Sequence, residues 1–204
     1  MRLFKKKYPK YLADELTMGQ EFLIFAWEIL KIVVISLVII VPVRYFLIKP
    51  FYVKGASMEP NFHDYQYLII DELTYRFNAP QRGDVVVFRY PVDPNQYFIK
   101  RVIGLPGEEV KIKNGLVTII NAQHPAGVVL NEPYLPFGLQ TNHDLDVSLD
   151  AQHYFLMGDN RPNSLDSRIF GPVDGNHIIG RVLLRGWPID KIGYLASHVD
   201  YNFD

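Results

Sequence analysis

Ser57 lies in the stretch "VKGASMEP", residues 53 to 60, and is a candidate nucleophile. A serine hydroxyl attacks a carbonyl only when a neighbouring base takes its proton. The histidines at 63, 124, 143, 153, 177 and 198 show neither His-x-x-x-His nor His-Glu-x-x-His spacing. They mark no metal site, and a Ser-His-Asp triad would have to be assembled at long range. Ser57 is set in Gly-x-Ser-x-Glu, which is not the nucleophile elbow of an α/β-hydrolase. No Ser-x-x-Lys begins at Ser57 either. With no cysteine in the chain, thiol nucleophiles, disulfides and thiolate zinc sites are excluded. A lysine remains as a candidate base, provided that burial in an apolar pocket keeps its amine neutral near pH 7. Lys100, in "YFIKRVIG", has Phe98 and Val102 two residues away, so its face of a strand is apolar. Arg101 has Ile99 and Ile103 on its own face, so alternation does not choose between the two cations. Chemistry prefers Lys100, because arginine does not release its proton. The alternative for Lys100 is a strand lysine whose ammonium reaches solvent.

The elements that must position these groups read as strands. "QYLIID" (66–71), "DVVVFRY" (84–90), "QYFIKRVIG" (96–104), "EVKIKN" (109–114), "GLVTII" (115–120), "HYFLMGD" (153–159) and "IIGRVLLRGW" (178–187) are rich in β-formers. Turn residues separate them, and "KNG" between two alternating runs is a hairpin signal. The pattern predicts a mainly antiparallel β-domain. Residues 121–150 are more polar and read as an inserted excursion or small subdomain.

Before this domain, Ile29 to Ile48 reads "ILKIVVISLVIIVPVRYFLI", twenty residues that as a helix are long enough to span ~30 Å of hydrocarbon. Lys31 and Arg44 can snorkel at its ends, and Trp27 and Tyr45 suit the interfaces. "KPFYVKGAS" offers no convincing small-x-small cleavage site, so a retained transmembrane anchor in a lipid bilayer is expected. Arg2, Lys5, Lys6, Lys7 and Lys10 precede the span, whereas only Lys49 and Lys54 closely follow it. Positive charge on the cytoplasmic side makes residues 1–28 a cytoplasmic segment. Residues 49–120 and 151–195 then form an extracytoplasmic β-domain with 121–150 inserted, and 196–204 form a tail. Ser57 would be held within ~30 Å of the outer surface. The net charge of −1 makes no case for nucleic-acid binding.

Four boxes in one order give a resemblance. "GASMEP", "RGDVVVF", "IKRVIGLPGE" and "GDNRPNSLDSRIFG" resemble the boxes of the bacterial type I signal peptidases. The resemblance implies a membrane-bound serine endopeptidase of the cell membrane with a Ser-Lys dyad and no cofactor. It would remove signal peptides from exported preproteins after a small-x-small motif. It also implies an antiparallel β-sheet catalytic domain with a smaller inserted subdomain behind one N-terminal transmembrane helix. Residue by residue, Ser57 matches the nucleophile and its N–H one oxyanion donor. Lys100 matches the general base, Ser164 a hydroxyl that orients the lysine, and Asp166 and Arg168 a supporting ion pair. Val53, Met58, Phe62, Phe98 and Ile99 match positions near the pockets for the −1 and −3 side chains. Asp159 and Arg161 are expected to hold their turn. Two positions depart from the family: Gly55 stands where some members carry a serine that is a second oxyanion donor, and Asn61 stands where a threonine is frequent. A self-cleaving repressor protease of the same fold would need a DNA-binding domain in place of the anchor. A catalytically silent membrane-anchored binding or scaffold protein would not need Ser57, Lys100, Ser164 and Asp166 intact.

Overall fold

Asn114 and Gly115 both adopt left-handed backbone, φ 52° and 81°, as a two-residue type I′ turn requires. Around them β5 (Glu109–Lys113) and β6 (Leu116–Ile120) pair antiparallel with Lys113 opposite Leu116, forming the hairpin predicted from "KNG". The computed structural model of the chain describes residues 18–42, 48–188, 192–194 and 201. It separates into two units, residues 1–45 and 46–204.

In the first unit, α1 (Met18–Pro42) is a helix of 25 residues, about 37 Å long. Its apolar side chains, including Phe22, Trp27 and Ile35, are exposed all along it. Its Met18–Val41 stretch is long and apolar enough to cross a membrane. This helix differs from the expected span at 29–48. It begins eleven residues earlier, because "FLIFAW" (22–27) is itself apolar and Glu28 does not break a helix. Ile48 is not part of it but opens a strand. The basic residues from Arg2 to Lys10, and Arg44 and Tyr45, lie outside the described residues.

The second unit is built on two antiparallel sheets. The larger contains β1 (Ile48–Tyr52), β2 (Tyr67–Asp71), β3 (Val85–Arg89), β4 (Tyr97–Gly104), β9 (His153–Met157), β10 (Val173–Asp174), β11 (Ile178–Trp187) and β12 (Gly193–Tyr194). Its order is β1-β2-β11-β3-β4-β9-β10, with β12 on β11. The smaller has β7 (Val128–Val129) and β8 (Leu145–Ser148) flanking the hairpin, in the order β7-β6-β5-β8. All seven predicted strands are present. β1 is new, and Pro50 is tolerated there because β1 is an edge strand. β8 is new too, arising inside the polar excursion. β8 pairs with β5, so the smaller sheet joins the hairpin of 109–120 to strands from the 121–150 excursion. Of the 196–204 tail only Tyr201 is described, and it packs on the subdomain core.

Among the described residues, three apolar clusters hold this unit. Val53, Met58, Phe62, Leu68, Ile70, Val85, Val87 and Val182 pack under the Ser57 turn. Val86, Phe88, Val102, Tyr154, Leu156 and Val173 fill the opposite face. Ile103, Val110, Ile112, Phe155 and Met157 join the two sheets. Each such side chain contributes about 1.5–3 kcal/mol when fully buried. Gly104 sits where the sheets meet: a β-carbon there would collide with Val110 and lie 2.8 Å from Leu149 Cδ1. Gly104→Ala should therefore destabilise the protein by about 1–3 kcal/mol through overpacking. An unchanged thermal midpoint for the full chain in detergent would contradict this.

Candidate active site

Ser57 and Lys100 reach each other from different elements. Ser57 sits in the turn that follows β1, half-buried, and Lys100 is in the first half of β4, 3% exposed. Lys100 Nζ lies 2.8 Å from Ser57 Oγ and 2.8 Å from the carbonyl oxygen of Ile99. The Phe98 ring is 5.3 Å from Nζ. Burial pushes the Lys100 amine down to about 8 from an ordinary 10.5. Asp166 and Asp159 oppose that shift, and Arg168 adds to it. The shift is worth roughly 3 kcal/mol in favour of the neutral amine.

Arg101, on the other face of β4, is as deeply buried at 2% exposed but has a different partner. Its Nε donates to Asp159 Oδ1 at 2.9 Å and its NH2 to Asp159 Oδ2 at 2.7 Å. The guanidinium also stacks 4.0 Å from the centre of the Tyr134 ring. Burial alone would pull the Arg101 guanidinium down, but Asp159 more than offsets it. One cation of the adjacent pair thus faces a carboxylate and the other a hydroxyl.

The remaining candidates meet around Gly158. Asp166 caps the short helix α2 (Ser167–Phe170) and pairs with Arg168 in a fork: Nε to Oδ1 at 2.8 Å and NH2 to Oδ2 at 2.7 Å. The chain turns into a helix there, so the pair forms across a cap rather than along the extended segment that would put both residues on one side. Burial pushes the Asp166 carboxyl up, but Arg168 and the Gly158 N–H more than compensate and hold it below the usual carboxylate range. Ser164 Oγ is buried and, among the described residues, makes no hydrogen bond to Lys100. It lies near enough to Asp166 to help hold that carboxyl down. Asp159 and Arg161 do more than hold their turn. Arg161 Nε donates to Gly158 O at 3.1 Å, while its NH1 reaches Glu132 at 2.8 Å and Thr141 at 2.5 Å in the inserted subdomain.

An open groove of about 750 Å³ runs past Ser57 and Lys100. Val53, Phe98 and Ile99 line it, with Phe51, Tyr97 and Leu165. Met58 and Phe62 do not line it; they are buried beneath it in the core. Strand β4 pairs with β3 from Tyr97 to Arg101 but with β9 only from Arg101 onward, so one backbone edge of Tyr97–Lys100 is left for the groove. Gly55 adopts φ 98° and donates its N–H to Asp64 Oδ1 at 3.0 Å. A serine at this position would have room but would be strained by about 1–3 kcal/mol. The glycine is kept by backbone shape. No group of His, Asp or Glu among the described residues is arranged to hold a metal ion.

Two residues of the site escaped sequence reasoning. Asn160 clamps the turn, its N–H donating to Ser57 O at 3.1 Å and its Nδ2 to Ala56 O at 3.0 Å. Its signal was its place in the "GDN" run. Asn61 donates Nδ2 to Asp159 Oδ2 at 2.8 Å and to Tyr134 O at 2.9 Å. Only its departure from threonine marked it.

A serine hydroxyl at hydrogen-bond distance from a buried lysine, beside an open groove, has the geometry that attack by a serine assisted by a neutral amine requires. The family model for signal peptidase, peptidase S26, matches residues 26–187. Signal peptidase I of Leptolyngbya laminosa is 34% identical over 182 residues, covering 85% of this chain and 86% of its own. Signal peptidase IB of Staphylococcus aureus is 30% identical over 173 residues, covering 79% and 90%. The solved signal peptidase I of Enterococcus faecalis aligns with 52% of this chain and 97% of its own, at 31% identity and a TM-score of 0.44. The chain belongs to the signal peptidase family, peptidase S26. Within it the chain is an enzyme of the signal peptidase I kind, a hydrolase that processes signal peptides.

Gly158 offers a test of the packing behind the pair. A β-carbon there would collide with both Ser164 Oγ and the carbonyl oxygen of Ser57. Gly158→Ala should push the Ser57 turn away and lower turnover by at least about tenfold, since small misplacements of reacting groups are costly. Wild-type turnover of a peptide substrate by this variant would show that the turn tolerates the shift.

Proposed function

We propose that this protein is a membrane-anchored serine endopeptidase that cleaves exported preproteins after a small-x-small motif, with Ser57 as nucleophile and neutral Lys100 as general base. The observation that carries this reading is the 2.8 Å approach of Lys100 Nζ to Ser57 Oγ inside an apolar environment. With its amine at about 8, about a tenth of Lys100 is neutral at pH 7, against about one in three thousand for an ordinary lysine. The neutral nitrogen takes the Ser57 Oγ proton as the oxygen attacks the scissile carbonyl. The Ser57 N–H, which takes no backbone partner among the described residues, donates to the oxyanion. The ammonium then protonates the leaving amine. Neutral again, Lys100 activates the water that releases the acyl group.

Ser164, whose hydroxyl is buried beside Asp166, is available to orient the lysine, and the Asp166–Arg168 fork fixes the backbone around it. The free edge of Tyr97–Lys100 can pair with an extended substrate, while Val53, Phe98 and Ile99 leave room for small side chains. The exposed apolar surface of α1 supports a bilayer anchor. The Lys/Arg excess before it supports a cytoplasmic N-terminus and an extracytoplasmic catalytic domain.

Ser57→Ala and Lys100→Ala should each abolish cleavage of a preprotein in detergent, and Lys100→Arg should fail as well because a guanidinium stays protonated. These variants also separate the peptidase from a silent scaffold. Because the folded amine titrates near 8, turnover should climb about tenfold per pH unit below that value and level off above it. A flat profile from pH 6 to 10 would remove the lysine-base mechanism. For topology, protease added outside protoplasts should digest residues 49–204 and spare the N-terminal segment; protection of the catalytic domain would reverse the orientation.

A further inference from the structure

Asn61 closes a ring of contacts around the reacting pair. Ser57 Oγ meets Lys100 Nζ at 2.8 Å. Arg101, next to Lys100 on the opposite face of β4, grips both oxygens of Asp159. Asp159 Oδ2 accepts from Asn61 Nδ2 at 2.8 Å. Asn61 is four residues beyond Ser57 in the same turn, whose Phe62 N–H donates to Met58 O at 2.9 Å. The side-chain amide has two N–H donors, and both are used, the second on the Tyr134 carbonyl of the inserted subdomain at 2.9 Å. Arg185 NH2 holds the Asn61 carbonyl at 2.8 Å from β11. A threonine would supply one donor and could serve Asp159 or Tyr134, but not both.

We propose that Asn61 is a positioning residue for Ser57 and Lys100. It ties the Ser57 turn to the Arg101–Asp159 pair and to the Tyr134 segment, so that the subdomain and the turn move as one piece. Neither Asn61 donor reaches the groove chemistry, because both are spent on Asp159 and Tyr134. Its effect is on where Oγ sits relative to Nζ and not on substrate binding. An aspartate would be nearly the same shape but would set a second carboxylate against Asp159, which is fully buried.

This inference rests on the reading of Ser57 and Lys100 as the reacting pair, and the experiment separates the two. The full chain in detergent is assayed on one preprotein-derived peptide as wild type, Asn61→Leu, Asn61→Thr, Asn61→Asp and Ser57→Ala, with kcat, KM and the thermal midpoint recorded for each. Asn61→Leu should lose about tenfold in kcat, the scale of one charge-assisted hydrogen bond, with KM within about twofold of wild type. Asn61→Thr should recover to within about threefold of wild type by keeping one donor, and Asn61→Asp should fall at least as far as the leucine variant. Wild-type kcat for Asn61→Leu overturns the proposal. So does a loss fully accounted for by the unfolded fraction with no recovery in Asn61→Thr. If Ser57→Ala itself keeps wild-type turnover, the nucleophile assignment fails and the proposal falls with it; an inactive Ser57→Ala beside an unaffected Asn61→Leu overturns the proposal alone.

Discussion

Everything at this site depends on a lysine nitrogen kept from water. Lys100 is almost wholly inside the protein and forms no ion pair among the described residues; its near neighbours are a serine hydroxyl, a carbonyl oxygen and an aromatic ring. An ammonium in such a place loses hydration that nothing fully replaces, so the neutral amine becomes accessible near neutral pH. Asp166 and Asp159 would restore the charge if they stood alone. Arg168 and Arg101, each forked onto one of them, spend their negative charge elsewhere.

Strand β4 makes this arrangement available by carrying two cations in succession. Alternation sends Lys100 to the groove and Arg101 to the interior. The face that receives Arg101 supplies a carboxylate and an aromatic ring, and the other supplies apolar walls and Ser57. The same strand changes partners at this point, pairing with β9 only from Arg101 onward. The cations thus lie where a fully paired strand becomes a half-paired one, with a free backbone edge beside Lys100.

The inserted subdomain does more than add surface. Glu132, Tyr134 and Thr141 all meet the Gly158–Arg161 turn, and Tyr134 meets both Arg101 and Asn61. The Tyr201 hydroxyl reaches the Tyr134 hydroxyl at 3.0 Å, and burial pushes it up to about 12, so it stays protonated as a donor. A polar excursion of unremarkable composition becomes one wall of a buried network. Such networks rigidify a site only when each member is satisfied.

The sequence by itself determined the local structure. The alternation of Val, Ile and Phe marked seven strands, "KNG" marked the hairpin turn, and a continuous apolar run marked the helix, because each is written in adjacent residues. Ser57 and Lys100 stood out as candidates for the same reason: only certain side chains can be a nucleophile or a neutral base. The tertiary structure alone decided the rest. β1 and β8 exist because partners at Leu68 and Val110 are there to pair with them. Met58 and Phe62 belong to the core, although the family resemblance had set them near the pockets. Lys100 and Arg101 could not be separated by pattern, since both faces of β4 are apolar in sequence. Their fates follow from groups 43 and 58 residues away, as that of Asn61 follows from Asp159, 98 residues on. Burial and charge are sums over neighbours in space, and no short window of sequence contains those neighbours.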